Sequence, residues 1–346
     1  MIKALALVAL LALAFAAERG LDRAAAARRA ADPPIVRLVA SDRLAGERVA
    51  AISIEQGSGT LLYGRKQGLW RCREAFGAVC DEAQVLALLA SLKDARGVER
   101  AAGVAAEAAY GLAESERTTV RFHGPKALED PDGDVLLAFE VGRSFAEGPN
   151  GRAFVREAGS DRILEIDRDP ARPLAGGDGS IPPLVDAQFL AGSLTGEFRG
   201  FREIRIEPRG EEAMVITRDP DAPAEASSDW ILERGTRRDP FPGWRVGGYV
   251  GLWLRGRFDA FESPLRPMDN GLAPPAAVVT LVPETGEPIE LALSAVDLGN
   301  RARVWNRRTN VVGVVQSEIQ ELLAPRAELF TDTTRPNPWE AWLRKP

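Results

Sequence analysis

The chain has 346 residues, 45% of them hydrophobic, with a net charge of −6 and a pI near 5.3. Dispersed acidic and basic residues with an acidic balance exclude a nucleic-acid partner, which requires a concentrated basic footprint, and the length suits one large or two ordinary domains. One histidine and two cysteines leave no credible ligand set for a zinc site.

Residues 1–17 begin with Lys3 and continue as an unbroken apolar run, Ala4 to Ala17, before Glu18 and Arg19. A spanning helix needs about 20 apolar residues, so the run is short for that purpose. It fits the apolar region of a signal peptide, and Ala14-Phe15-Ala16 supplies the small-x-small cleavage pattern. The segment reads as a signal peptide or as a short, tilted anchor in the inner membrane. Both readings place the remainder in the periplasm or another extracytoplasmic space. Residues 18–49 read as a linker.

From residue 50 the sequence repeats itself, which is the first thing to establish in a chain of this length. Ile52-Ser53-Ile54-Glu55 returns as Ile204-Arg205-Ile206-Glu207, a shift of 152 places (52 to 204). Trp70 matches Trp230, and Gly111-Leu112-Ala113 matches Gly271-Leu272-Ala273, both at 160 (70 to 230). Val141-Gly142 aligns with Leu298-Gly299, Arg152-Ala153 with Arg301-Ala302, and Ile163 with Val312. The shift changes in Pro-, Asp- and Ser-rich stretches such as Asp219 to Ser228, where exposed loops tolerate insertions.

The first unit, residues 50–175, opens with strands at Ala51–Glu55 and Thr60–Tyr63 around the turn Gln56-Gly57-Ser58-Gly59, then Leu69–Cys72. Asp81 and Gln84 have capping-box spacing, and Val85, Leu86, Leu88, Leu89 and Leu92 follow the helical period. Strands at Thr118–Phe122, Val135–Val141, Ala153–Arg156 and Ile163–Ile166 complete it. Residues 176–202 read as a linker, rich in glycine and proline, with a connecting helix. The second unit, residues 203–330, repeats the plan, with its helix near Gly247–Phe261 and a short helix at Ser317–Leu323. Residues 331–346 form a tail carrying Trp339 and Trp342, either exposed for docking or folded back. The expected fold is α+β: two tandem, diverged copies of a mixed or antiparallel sheet, each packing one helix.

No combination of residues announces catalysis. His123 precedes Gly124-Pro125 at a strand end and reads as a surface histidine without a nearby nucleophile. Gly57-Ser58-Gly59 lacks nucleophile-elbow spacing. Asp130, Asp132 and Asp134 imitate the start of a calcium loop but lack its glycine and its final glutamate. Gly176-Gly177-Asp178-Gly179 runs into two prolines rather than a phosphate-facing helix. The expected catalytic, cofactor and metal residues are therefore none. Cys72 and Cys80 either pair as a disulfide, the favoured reading and one permitted by export, or stay as two unpaired thiols. Trp70 and Trp230 read as buried core anchors, while Trp244, Trp253 and Trp305, confined to the second copy, are the candidates for lining a ligand groove.

Several of these motifs resemble one family. The run Ile52-Ser53-Ile54-Glu55 leading to Trp70, the helix after Asp81, Tyr110-Gly111-Leu112, Val141-Gly142-Arg143 leading to Arg152-Ala153-Phe154-Val155, and Phe198 to Glu207 together resemble the domain of unknown function 4340 family, over roughly Ala50 to Leu323. The resemblance implies a protein held at the outer face of the bacterial inner membrane, often encoded beside ABC-2-type transporters and gliding-motility-type auxiliary subunits. It assigns no catalytic residue. The leading expectation is a non-catalytic extracytoplasmic accessory or scaffold for an ABC-type export system, partnered by transporter subunits or another extracytoplasmic protein. The alternatives are a lipid- or glycan-binding protein with a groove between the copies, and a hydrolase using paired carboxylates.

Overall fold

The structure, a computed structural model, describes residues 35–38, 48–57, 59–93, 95–128, 134–146, 150–174, 181–194, 198–219 and 229–344. The apolar start (1–17), Asp130, Asp132 and the run Gly176 to Gly179 lie outside these residues.

After a short strand β1 (Ile35–Arg37), the first unit runs β2 (Ala51–Gln56), β3 (Gly59–Lys66), β4 (Leu69–Cys72), β5 (Ala78–Val79), α1 (Glu82–Lys93), β6 (Arg96–Ala102), β7 (Thr118–His123), β8 (Val135–Phe145), β9 (Arg152–Glu157) and β10 (Arg162–Ile166). The second unit runs β11 (Phe201–Pro208), β12 (Met214–Arg218), β13 (Trp230–Arg234), β14 (Arg237–Phe241), α2 (Gly243–Arg255), β15 (Ala260–Glu262), β16 (Ala277–Pro283), β17 (Ile289–Leu293), β18 (Arg301–Asn306) and β19 (Val311–Gln316). Three short helices follow: α3 (Ser317–Leu323), α4 (Glu328–Thr331) and α5 (Pro338–Leu343).

The ten-stranded sheet has the order β1-β6-β10-β9-β8-β7-β2-β3-β4-β5, and the nine-stranded sheet the order β14-β13-β12-β11-β16-β17-β18-β19-β15. Read from opposite ends, these are one topology, with β2 to β10 standing in the places of β11 to β19; β1 is an addition to the first sheet. Every paired strand is antiparallel. Helices are few, so α+β describes the fold only coarsely.

Register fixes which repeat matches are real. Gln56 faces Thr118 and Pro208 faces Ala277, so Ile52 and Ile54 occupy the places of Ile204 and Ile206. Trp70 accepts a backbone bond from Cys80, just before the cap of α1, and Trp230 pairs with Phe241, just before the cap of α2. Trp70 is buried and Trp230 half-buried. Gly111 and Gly271 share φ +69°, each donating to the carbonyl three residues back while the next residue, Leu112 or Leu272, donates five back. One match fails. Val141 pairs with Val155, and Leu293 pairs with Val304, so the counterpart of Val141-Gly142 is Leu293-Ser294. Leu298-Gly299 instead lies in an exposed turn.

Each sheet buries one face. In the first unit Ile52, Ile54, Val120, Phe122 and Phe139 meet Val85, Leu88, Leu89 and Leu92 of α1. Asp81 caps that helix, accepting from the Ala83 and Gln84 amides at 2.9 and 3.3 Å. Leu86, expected on the same apolar face, is exposed. In the second unit α2 begins four residues earlier than its periodicity suggests and buries Tyr249, Leu252 and Trp253. The tail folds back: Trp339 is fully buried, stacked 4.8 Å from Phe330, and its Nε1 donates to the Leu322 carbonyl. The guanidinium of Arg245, buried in α2, donates to the carbonyls of Leu329 and Arg335 at 2.6 Å each.

The segment between the units contains no connecting helix among its described residues and is more than a linker. Pro183 accepts from the Tyr63 hydroxyl at 2.6 Å, Leu184 from the Asp81 amide, and Asp186 donates to Val79. A few residues on, Ala187 accepts from Phe258, and Phe189 donates to Gly256 and accepts from the Asn306 side chain. The strap is thus bonded to both units, and Leu184, Ala187, Phe189 and Leu190 are buried. Arg71 adds a direct tie, one Nη1 reaching both Gly77 and Thr309 carbonyls at 2.8 Å.

Replacing Trp339 by alanine is expected to destabilise the second core by about 3–5 kcal/mol, as for other fully buried tryptophans. Urea unfolding followed by the remaining tryptophan fluorescence measures this; a change under 1 kcal/mol would mean that the tail is only loosely applied.

Candidate functional site

The outer face of the first sheet carries side chains alternating with the core set: Ala51, Ser53 and Glu55 on β2, and Thr119, Arg121 and His123 on β7. Ser53 faces Arg121 directly, and His123, two residues along on the same face, lies diagonally across from Ser53. Ser53 Oγ lies 2.8 Å from His123 Nε2. Both residues are buried, His123 to 1% exposure and Ser53 to 6%. They floor a surface cavity of about 220 Å³ whose rim includes Glu55, Thr60, Leu62, Arg73, Arg121 and Val135. Glu55 forms an ion pair with Arg121. Arg73 Nε donates to Glu74 at 2.8 Å, and the other Glu74 oxygen takes the Leu62 amide at 2.7 Å.

The sequence-based reading of His123 as a surface group remote from any nucleophile is therefore corrected. The reason is register: residues 70 apart meet only because β2 pairs with β7. A serine hydroxyl bonded to an imidazole is the first element of a nucleophile–base pair. Ser53, however, sits inside a strand flanked by β3 and β7, so the neighbouring amides are taken up by the sheet ladder. They are not arranged to hold a developing oxyanion, as backbone donors at strand-to-helix turns are.

Beyond the cavity the same face is closed by ion pairs. Glu140 takes Arg117 at 3.0 Å and also Arg156, and Arg156 reaches Glu107 as well. Glu140 and Arg156 are both under a tenth exposed, and each charge is paired, as burial demands. Among the described residues no group of three or more His, Cys, Asp or Glu is placed to hold a metal ion.

The three tryptophans proposed for a groove are not brought together. Trp253 is fully buried in the second core beside Phe189 and Tyr249. Trp244 is exposed on α2, with the Arg245 guanidinium over its ring at 4.8 Å. Trp305 lies on the outer face of the second sheet, against Leu272, Ala292 and Val312.

The expected Cys72–Cys80 bridge is not formed; both thiols are free and buried. Cys72 faces Ala78 while Cys80 bonds across to Trp70, which makes the cysteines diagonal neighbours. Diagonal positions sit about 7–8 Å apart, beyond the usual reach of about 4.4–6.8 Å between bridged Cα atoms. Burial pushes the Cys72 thiol up to about 11, and burial followed by the nearby Cys72 raises Cys80 further.

A thiol whose folded pKa is raised stays protonated in the native state after the unfolded thiol has ionised. Its stabilising contribution is complete below the unfolded pKa of about 8.5 and is lost as pH rises toward the folded value. Urea midpoints are expected to fall between pH 8.5 and 11, and to fall less steeply in Cys72→Ala. A flat profile in this window would contradict the burial of the thiols.

Because Ser53 and His123 satisfy each other in a buried place, His123→Ala is expected to destabilise by about 1–3 kcal/mol, and a double-mutant cycle with Ser53→Ala to show coupling of about 1 kcal/mol. Additive effects would show that the pair is not bonded in solution. No family model, no curated protein and no solved structure matches this chain.

Proposed function

We propose that the chain is a non-catalytic extracytoplasmic accessory or scaffold module that works with an ABC-type export system. The observation that carries this reading is the way two units of one topology are bound into a single body by a shared buried strap that enters both hydrophobic cores. One surface opening, about 570 Å³, is lined by Glu211, Glu212, Arg234 and Arg326 together with Met214 and several proline and alanine residues. A lining in which charged groups alternate with small apolar ones suits protein contact better than lipid storage, since ligand sites are mostly apolar clefts. The dispersal of Trp244, Trp253 and Trp305 removes the lining on which a lipid or glycan groove depended.

The apolar N-terminal run, as signal peptide or retained anchor, and the resemblance to the domain of unknown function 4340 family both support an extracytoplasmic place for this module. Among the described residues no helix is long and apolar enough to cross a membrane.

The Ser53–His123 pair makes a hydrolase the rival to be tested. The full chain, co-expressed with ABC-type transporter subunits from its own source, is expected to co-elute with them from detergent-solubilised membranes, and Ser53→Ala to co-elute equally. Turnover of nitrophenyl esters or glycosides by the purified protein, reduced about 100-fold or more by Ser53→Ala, would replace the scaffold reading with a catalytic one.

A further inference from the structure

We propose that the cavity floored by Ser53 and His123 binds a small oxyanion, a carboxylate or a phosphate, and that only the first unit carries this site. The comparison between copies is the starting point. By register, the second unit places Arg205 where the first has Ser53, Thr280 where it has Arg121, and Val282 where it has His123. Arg205 there forms an ordinary surface ion pair with Glu203 at 2.6 Å. The shared fold thus closes this face without a buried hydroxyl and imidazole. Burying two polar groups costs free energy that even a good mutual hydrogen bond only partly offsets, so their presence in one copy calls for a reason other than folding.

The cavity's inventory supplies the reason. Its donors are the hydroxyls of Ser53 and Thr60 and the guanidinium groups of Arg73 and Arg121. Its one carboxylate, Glu55, is already paired with Arg121. Among the described residues Arg73 bonds through Nε alone, which leaves its terminal amino groups for a ligand. With the imidazole donating from Nε2, the Ser53 hydrogen is free to point outward, completing a chain from His123 through Ser53 to a bound acceptor. A site rich in donors, with its acceptor neutralised, selects an anion with several oxygens, and guanidinium groups recognise carboxylate and phosphate oxygens best. At about 220 Å³ the space admits a phosphate or a short carboxylic acid and falls below the size of typical drug-sized pockets.

His123 is the sole histidine, so its ring gives one set of imidazole resonances at the floor of the site. The folded, full chain would be titrated at fixed pH and ionic strength with inorganic phosphate and, separately, with succinate. Saturable movement of the His123 resonances is expected in at least one series. Phosphate alone would assign a phosphate ligand, succinate alone a carboxylate, and both a general oxyanion site. In Arg73→Ala, an exposed position where folding is checked by circular dichroism, binding is expected to weaken about tenfold or more, the loss of one charge-assisted bond. Arg205→Ala in the second copy should bind as the parent does. No saturable movement with either anion, or equal affinity in Arg73→Ala, would overturn the proposal.

Discussion

Everything in this molecule depends on how the backbone between the units is satisfied. A buried peptide must bond its amide and carbonyl groups to something, and the strap around Leu184 to Phe189 does so by turning first to the β5–α1 corner and then to the α2–β15 corner. The first corner opens its helix, whereas the second closes its helix at the C-cap Gly256. The first unit therefore meets the strap at the start of its helix and the second at the end of its helix, and the strap's apolar residues enter both cores. Gly256 is required there, because a Cβ at that position would meet the Phe189 ring at 2.1 Å. Gly313 is required likewise beneath Phe258. The duplicated units are consequently fused through opposite ends of their equivalent helices, not strung on a tether.

Much of this architecture was legible in the chain. Alternation at Ile52 and Ile54 against Val120 and Phe122, and the helical spacing from Val85 to Leu92, identify strands and helix because one buried face imposes its period on the sequence. The repeat was legible where side chains are fixed by the core, as at Ile204 and Ile206, or by backbone conformation, as at Gly271. It was misread at Leu298-Gly299, where a turn of different length in the second copy offered a chance likeness with no core to enforce it. Strands as short as β5 and β15 carry too few residues to show a period at all.

The site was less legible for a geometric reason. Ser53 and His123 are individually unremarkable positions, one mid-strand and one at a strand end, and their meeting depends on strand register. The parity of the strands held a usable signal, since pairing β2 with β7 by their apolar residues puts Ser53, Arg121 and His123 on one face. The strap was hidden for the same kind of reason, because glycine and proline mark a loop without saying whether it is exposed.

The second core also has a consequence for the order of assembly. Arg245 and Trp253 wait in the helix for partners that lie near Leu329, Arg335 and Trp339. Before those residues are in place, the α2 face presents an unpaired guanidinium and a row of aromatic rings. The first unit draws its core almost wholly from residues up to the strap and needs no such late contribution. During synthesis the first half can close while the second still lacks these partners. The final turns then act as a latch, so that the mature shape is acquired in two stages from a sequence that repeats one plan.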